Sequence, residues 1–114
     1  MADRPPKCRD IVKEIRRHLA QRKPQFSIGL HAQDEAANDG ISRREIMQVL
    51  KKTGVHVPEH DQYSEHFETW KYRLEGPTLE SRKIAVAVSF TPRPPLPLPE
   101  LCVITVFALG KTKK

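Results

Sequence analysis

Three runs in the C-terminal half do most to limit the folds open to this chain. Thr69 to Leu74 alternates strictly, with Trp70, Tyr72 and Leu74 on one side and Lys71 and Arg73 on the other. That two-residue period is the period of a half-buried strand. Lys83 to Phe90 repeats it, with Ile84, Val86, Val88 and Phe90 as the bulky set. Leu101 to Ala108 is almost wholly apolar and belongs at the centre of a sheet. Gly76-Pro77 reads as a turn. The segment 91–100 is polyproline-like and reads as an extended insertion at a hairpin tip, with an SH3-type ligand as the other reading.

The N-terminal half has helical spacing instead. Cys8, Ile11, Val12, Ile15 and Leu19 share one face of a helix predicted from Lys7 to about Arg22, which Pro24 stops. Phe26 to Leu30 alternates weakly, as a short extended segment would. His31 to Asp39 reads as a short helix closed by Gly40, because glycine adopts the left-handed conformation most easily. Ser42-Arg43-Arg44-Glu45 is a capping box, and Ile41 with Ile46 forms its hydrophobic staple. That helix is predicted to run to Gly54. Residues 55–68 read as a polar loop with one short strand. The fold class is therefore α+β: N-terminal helices packed on a small twisted antiparallel sheet of three to four strands.

With 114 residues the chain suits a single domain over 1–114, with a leader at 1–6, the proline insertion at 91–100 and a basic tail at 110–114. The hydrophobic fraction of 38% and the ten prolines leave a modest core. Cys8 and Cys102 read as small buried residues with reduced thiols, and no Cys/His group has zinc-finger spacing. Neither a metal nor a cofactor is expected. No apolar run has the length of a membrane span, and the first six residues lack the apolar centre of a signal peptide, so the expected location is cytoplasmic.

The net charge of +6 is unevenly spread. Residues 1–54 carry 12 Lys/Arg against 7 Asp/Glu, residues 55–80 carry 2 against 6, and residues 81–114 carry 6 against 1. Such a field favours polyanions, RNA among them, although the acidic stretch excludes a uniformly basic binding surface.

Ser27-x-x-x-His31-Ala32 followed by Gly40-Ile41-Ser42 resembles the "S-x-H-A … R-G-I-S" pattern of a bacterial family of formerly unknown function. That family is placed with RelE-like toxins in the barnase–colicin–RelE group. The order that follows is similar too: a capped helix, a "W-K-Y-R-x-x-G" strand from Trp70 to Gly76, "K-I-A-V-A-V" from Lys83 to Val88, and "V-I-T-V" from Val103 to Val106. The likeness spans roughly residues 9–108. Two departures stand out: Glu35 is acidic where the family usually has a basic residue nearby, and the last hairpin carries the proline insertion. The resemblance implies a RelE-like domain and a toxin of a toxin–antitoxin pair. It implies two partners, RNA and a cognate antitoxin protein. The alternative is a non-catalytic RNA- or protein-binding domain of the same fold.

A metal-independent endoribonuclease needs a base for the 2′-hydroxyl, an acid for the leaving 5′-oxygen and cations for the charge that builds on phosphorus. His31 is the leading histidine, because an unperturbed imidazole titrates near neutrality. A helix-packing role is its competing reading. Lys71 and Arg73 put two cations on one strand face, suited to phosphate or simply to solvent. With His31 they form the catalytic candidates. Lys83, Thr105, Arg43 and Arg44 are candidates for RNA or phosphate binding. His60 and His66 are looser ones, and Tyr72 has the parity of the core.

Overall fold

The structure, a computed structural model, describes residues 6–66, 68–92 and 99–110. Its elements are α1 (Ile11–Leu19), β1 (Phe26–Ile28), α2 (Leu30–Asp39), α3 (Arg43–Gln48), β2 (Val55–His56), β3 (Gln62–Ser64), β4 (Thr69–Pro77), β5 (Lys83–Thr91) and β6 (Glu100–Ala108). A π-helical turn over Val49–Thr53 extends α3, and a 3-10 turn covers Pro58–His60. The α+β class holds. The sheet is larger than predicted: six strands in the order β1-β6-β5-β4-β2, with β3 also on β4. It is mixed rather than antiparallel, because β1 runs parallel to β6. Residues 1–5 of the leader, residues 93–98 of the proline insertion and residues 111–114 of the tail lie outside the described residues.

Parity in the three long strands builds the core. Leu74 pairs with Val86, which pairs with Val106, and Tyr72 pairs with Val88, which pairs with Val103. All six are buried. Against this face α1 packs Ile11, Ile15 and Leu19, and α3 with its π turn packs Ile46, Val49 and Leu50. Cys8 and Cys102 are both free thiols. The staple residues Ile41 and Ile46 are buried as well.

Several boundaries differ from those expected. Helix α1 starts at Ile11 because Asp10 caps it through the Lys13 N–H. Just outside the helix, the Cys8 N–H donates to the Tyr72 hydroxyl at 2.8 Å. The Gly76-Pro77 pair is no turn: both residues continue β4, opposite Ile84 and Lys83. The reversal falls at 78–82, where the Thr78 N–H donates to the Arg82 carbonyl and Ser81 takes a φ of 62°. In place of one short strand, residues 55–68 supply β2, β3 and the 3-10 turn.

Two features of β6 position the candidate site. Ala87 pairs with Thr105 while Val88 pairs with Val103, so Ile104 is an extra residue, a β-bulge. The bulge returns Val106 and Ala108 to the core face. The second feature is the outer edge of β6. Strand β1 covers it only from Leu101 to Val103, and the Gly29 N–H then donates to the Val103 carbonyl. Beyond that point α2 runs beside β6. Buried Ala32 and Ala36 allow the close approach. Glu35 Oε1 accepts the Val106 N–H at 3.1 Å, and Asp39 Oδ2 accepts the Ala108 N–H at 2.9 Å. Two carboxylates thus replace a neighbouring strand. Asp39→Ala should cost about 1.5–3 kcal/mol in urea unfolding, the usual cost of losing a hydrogen bond to a charged group. Faster exchange of the Ala108 amide would locate the loss. An unchanged Ala108 amide would show that the cap contributes little.

Candidate functional site

At one end of the sheet face opposite the helical core, small and polar side chains from two strands lie side by side. On β5, Ser89 and Thr91 alternate with the core residues Val88 and Phe90. On β4, Thr69 and Lys71 alternate with Trp70 and Tyr72. These four residues form the floor of a cleft of about 380 Å³. Ser64 of β3 borders one side, and Ser27 of β1 with Cys102, Val103 and Ile104 of β6 borders the other. Gly29, Leu30 and His31, the first residues of α2 and the one before it, form the rim. Leu30 is 78% exposed there.

The hydroxyls are partly engaged with one another. Ser89 Oγ lies 3.2 Å from Thr91 Oγ1, Thr69 Oγ1 donates to the Phe90 carbonyl at 3.0 Å, and Ser27 Oγ lies 3.6 Å from Cys102 Sγ. The N-terminal end of α2 opens on the same space. Its N-cap residue is Gly29, which offers no side-chain cap, and its first turn holds no acidic residue. The partial positive charge of that helix end is therefore left uncompensated by side chains. With the Lys71 ammonium on the floor and the His31 imidazole on the rim, the cleft suits an anion that also carries hydrogen-bonding groups.

The predicted site residues separate into two groups. His31 and Lys71 come together in this cleft, although they lie in different halves of the chain. The remaining candidates do not line it. Arg73 shares the sheet face of Lys71, but its guanidinium stacks 4.8 Å from the Phe107 ring centroid. Its Nε lies 2.9 Å from Glu75 Oε2, out of line for a hydrogen bond. Thr105 pairs with Ala87, one row beyond the floor. Lys83 is exposed at the far end of β5, opposite Pro77. Arg43 stacks over Phe26 at 5.3 Å, and Arg44 is exposed on α3. His60 ends the 3-10 turn and His66 lies in the turn after β3. Tyr72 is buried in the core as its parity predicts, and burial pushes its phenol above the usual value.

Sequence reasoning missed the cleft's hydroxyls. A signal was present: Ala85, Ala87 and Ser89 form the small set that alternates with the bulky residues of β5. Such a strip leaves room for a ligand. Nothing in the sequence indicated that β1 and the start of α2 would close one side of it.

Among the described residues, no group of three or more His, Cys, Asp or Glu side chains is placed to hold a metal ion. No described helix is long and apolar enough to cross a membrane.

The fold and cleft thus define an α+β protein with a groove on the open face of a mixed sheet, its surface mainly apolar with hydroxyls, Lys71 and His31 set into it. A family profile described as a domain of unknown function (DUF4258) matches residues 28–108, and the chain belongs to that family. The match contains every cleft residue except Ser27. No curated protein and no solved structure matches the chain.

Proposed function

We propose that this protein is the toxin of a bacterial toxin–antitoxin pair, a RelE-like, metal-independent endoribonuclease that works in the cytoplasm and is restrained by a cognate antitoxin. One observation carries the reading: a single cleft brings His31 and Lys71 together beside the uncapped start of α2. The resemblance of Ser27-x-x-x-His31-Ala32 and Gly40-Ile41-Ser42 to the toxin-related pattern supports it.

In this reading a phosphodiester lies between Lys71 and the α2 amides. His31 takes the proton of the 2′-hydroxyl, whose oxygen then attacks phosphorus. The P–O5′ bond breaks as the new bond forms, and the Lys71 ammonium gives the departing 5′-oxygen its proton. The same ammonium and the helix end stabilise the charge on the non-bridging oxygens. The products are a 2′,3′-cyclic phosphate and a free 5′-hydroxyl. Arg73, engaged with Glu75 and Phe107, supports the sheet face and does not bind substrate.

The test is RNA cleavage in EDTA by wild type, His31→Ala and Lys71→Ala. Wild type should yield 2′,3′-cyclic ends on RNA and leave DNA intact. His31→Ala should lower kcat by about 10²–10⁴-fold, the usual contribution of a general base. Lys71→Ala should also weaken binding and reduce its salt dependence. Salt-sensitive RNA binding without products would support the non-catalytic domain instead. Equal cleavage by wild type and both variants would overturn the assignment of the cleft.

A further inference from the structure

Glu35 follows His31 by one turn of α2 and faces two ways. Its Oε1 accepts the Val106 N–H of β6 at 3.1 Å, and its Oε2 lies 3.3 Å from His31 Nε2. The His31 side chain is 74% exposed and the Glu35 side chain 28%. An exposed pair of this spacing ordinarily orients little, because both side chains are free to move. Here one partner is already fixed. The backbone of β6 holds the carboxylate, so the imidazole meets an acceptor whose place is set by the sheet.

A neutral imidazole carries its proton on one nitrogen and a lone pair on the other. A carboxylate can only accept. At 3.3 Å the pair is an ion-pair contact not yet aligned as a hydrogen bond, and a small turn of the exposed ring brings Nε2–H onto Oε2, which favours that tautomer and leaves the lone pair on Nδ1. We infer that Glu35 is a positioning residue for His31: its carboxylate, held by the Val106 amide, orients the ring and makes Nδ1 the nitrogen that accepts a proton in the cleft. This inference rests on the ribonuclease reading of that cleft. It also gives the acidic residue at this position a role that a basic one could not fill.

Glu35→Gln tests it. The Val106 N–H still requires an acceptor, so the amide oxygen stays there and the amide NH₂ turns to the ring. A donor facing Nε2 requires a lone pair on that atom. The neutral ring should therefore invert to the Nδ1–H form, whose remaining lone pair on Nε2 is engaged by the amide and not offered to the substrate. Nitrogen-15 spectra of the neutral ring should show mainly Nε2–H in wild type and mainly Nδ1–H in the variant. Val106 amide exchange should stay unchanged. In RNA cleavage, kcat should fall on the order of 10²-fold with KM within about two-fold. A role limited to capping β6 would move neither the ring signal nor kcat alone.

An unchanged tautomer with Val106 still protected overturns the inference. So does an unchanged kcat in Glu35→Gln when His31→Ala is inactive, and that result leaves the ribonuclease reading standing. His31→Ala cleaving at the wild-type rate overturns the reading itself. If the Gln variant does not fold, Glu35→Asp repeats the test. One methylene shorter, its carboxylate cannot span Val106 and the ring together. The same fall in kcat at constant KM is expected, and a wild-type kcat overturns the inference.

Discussion

Arg82→Ala is expected to destabilise the protein by about 1.5–3 kcal/mol, the usual cost of taking a charged hydrogen-bond partner from a buried carboxylate, because the arginine itself is half-buried. Glu45 is the third residue of α3 and only 2% exposed. Its Oε2 accepts from Arg82 Nε at 2.9 Å and from Thr78 Oγ1 at 2.8 Å. Its Oε1 accepts from Arg82 Nη2 at 2.7 Å and from the Ser42 N–H at 3.0 Å. Arg82 Nη1 also donates to the Asp39 carbonyl at 3.0 Å. One guanidinium therefore ties together the end of α2, the start of α3 and the turn between β4 and β5. Without it, the capping-box carboxylate stays buried with half of its partners. Urea unfolding at neutral pH measures the loss. A change below about 1 kcal/mol, the range of an exposed pair, would show that the network carries little.

The same network sets an acid limb. The Arg82 hydrogen bonds hold the Glu45 carboxyl down to about 2 from its ordinary 4.5, with the Ser42 and Thr78 bonds adding to the effect against burial. The folded value lies below the unfolded one, so this stabilisation is complete above about 4.5 and is lost as pH falls towards about 2. Glu45→Gln should be less stable than wild type at neutral pH and should flatten that limb. An unaltered limb would assign acid unfolding to other carboxylates.

Gly54→Ala should cost about 1–3 kcal/mol, the range for overpacking a rigid site. Its φ of −68° and ψ of 141° suit any residue, so the cost is purely steric. A Cβ at this position would lie 2.5 Å from the Val49 carbonyl oxygen, 2.9 Å from Val49 Cγ1 and 3.0 Å from Leu74 Cδ2. The carbonyl cannot retreat easily, because it accepts the Gly54 N–H that closes the π turn. Gly40→Ala makes the contrast. The space around it is open, but its φ is 65°, so the penalty is conformational, about 1–2 kcal/mol. Thermal melts of the two variants compare the penalties. A Gly54→Ala protein as stable as wild type would mean that the π turn relaxes.

Much of this fold was legible because it is written in local patterns. The capping box at Ser42 and Glu45 needs only residues three apart, and both of its hydrogen bonds are present. The alternation in β4 and β5 needs only parity. Gly40 closes α2 through its own backbone freedom. The elements that were misread or only weakly signalled depend on distant partners. The extended segment expected at Phe26 becomes a strand because Leu101–Val103 lies beside it, and Val55–His56 is one because Leu74 and Glu75 do. Three residues or two carry no period of their own. Gly76-Pro77 has the composition of a turn, yet β5 supplies a partner that keeps the pair extended.

The sequence by itself determined the α+β class, the faces of β4 and β5 that turn inward, the caps at Gly40 and Ser42 and the candidacy of His31 and Lys71. Each of these follows from residues a few positions apart. The tertiary structure decided which candidates meet. It brought His31 and Lys71 into one cleft, and it engaged Arg73 with Glu75 and Phe107. It also placed the Glu35 carboxylate between the edge of β6 and the imidazole. Those outcomes depend on a parallel strand, a bulge at Ile104 and a helix laid along a sheet edge, and contacts between residues some 70 positions apart leave no period in the chain.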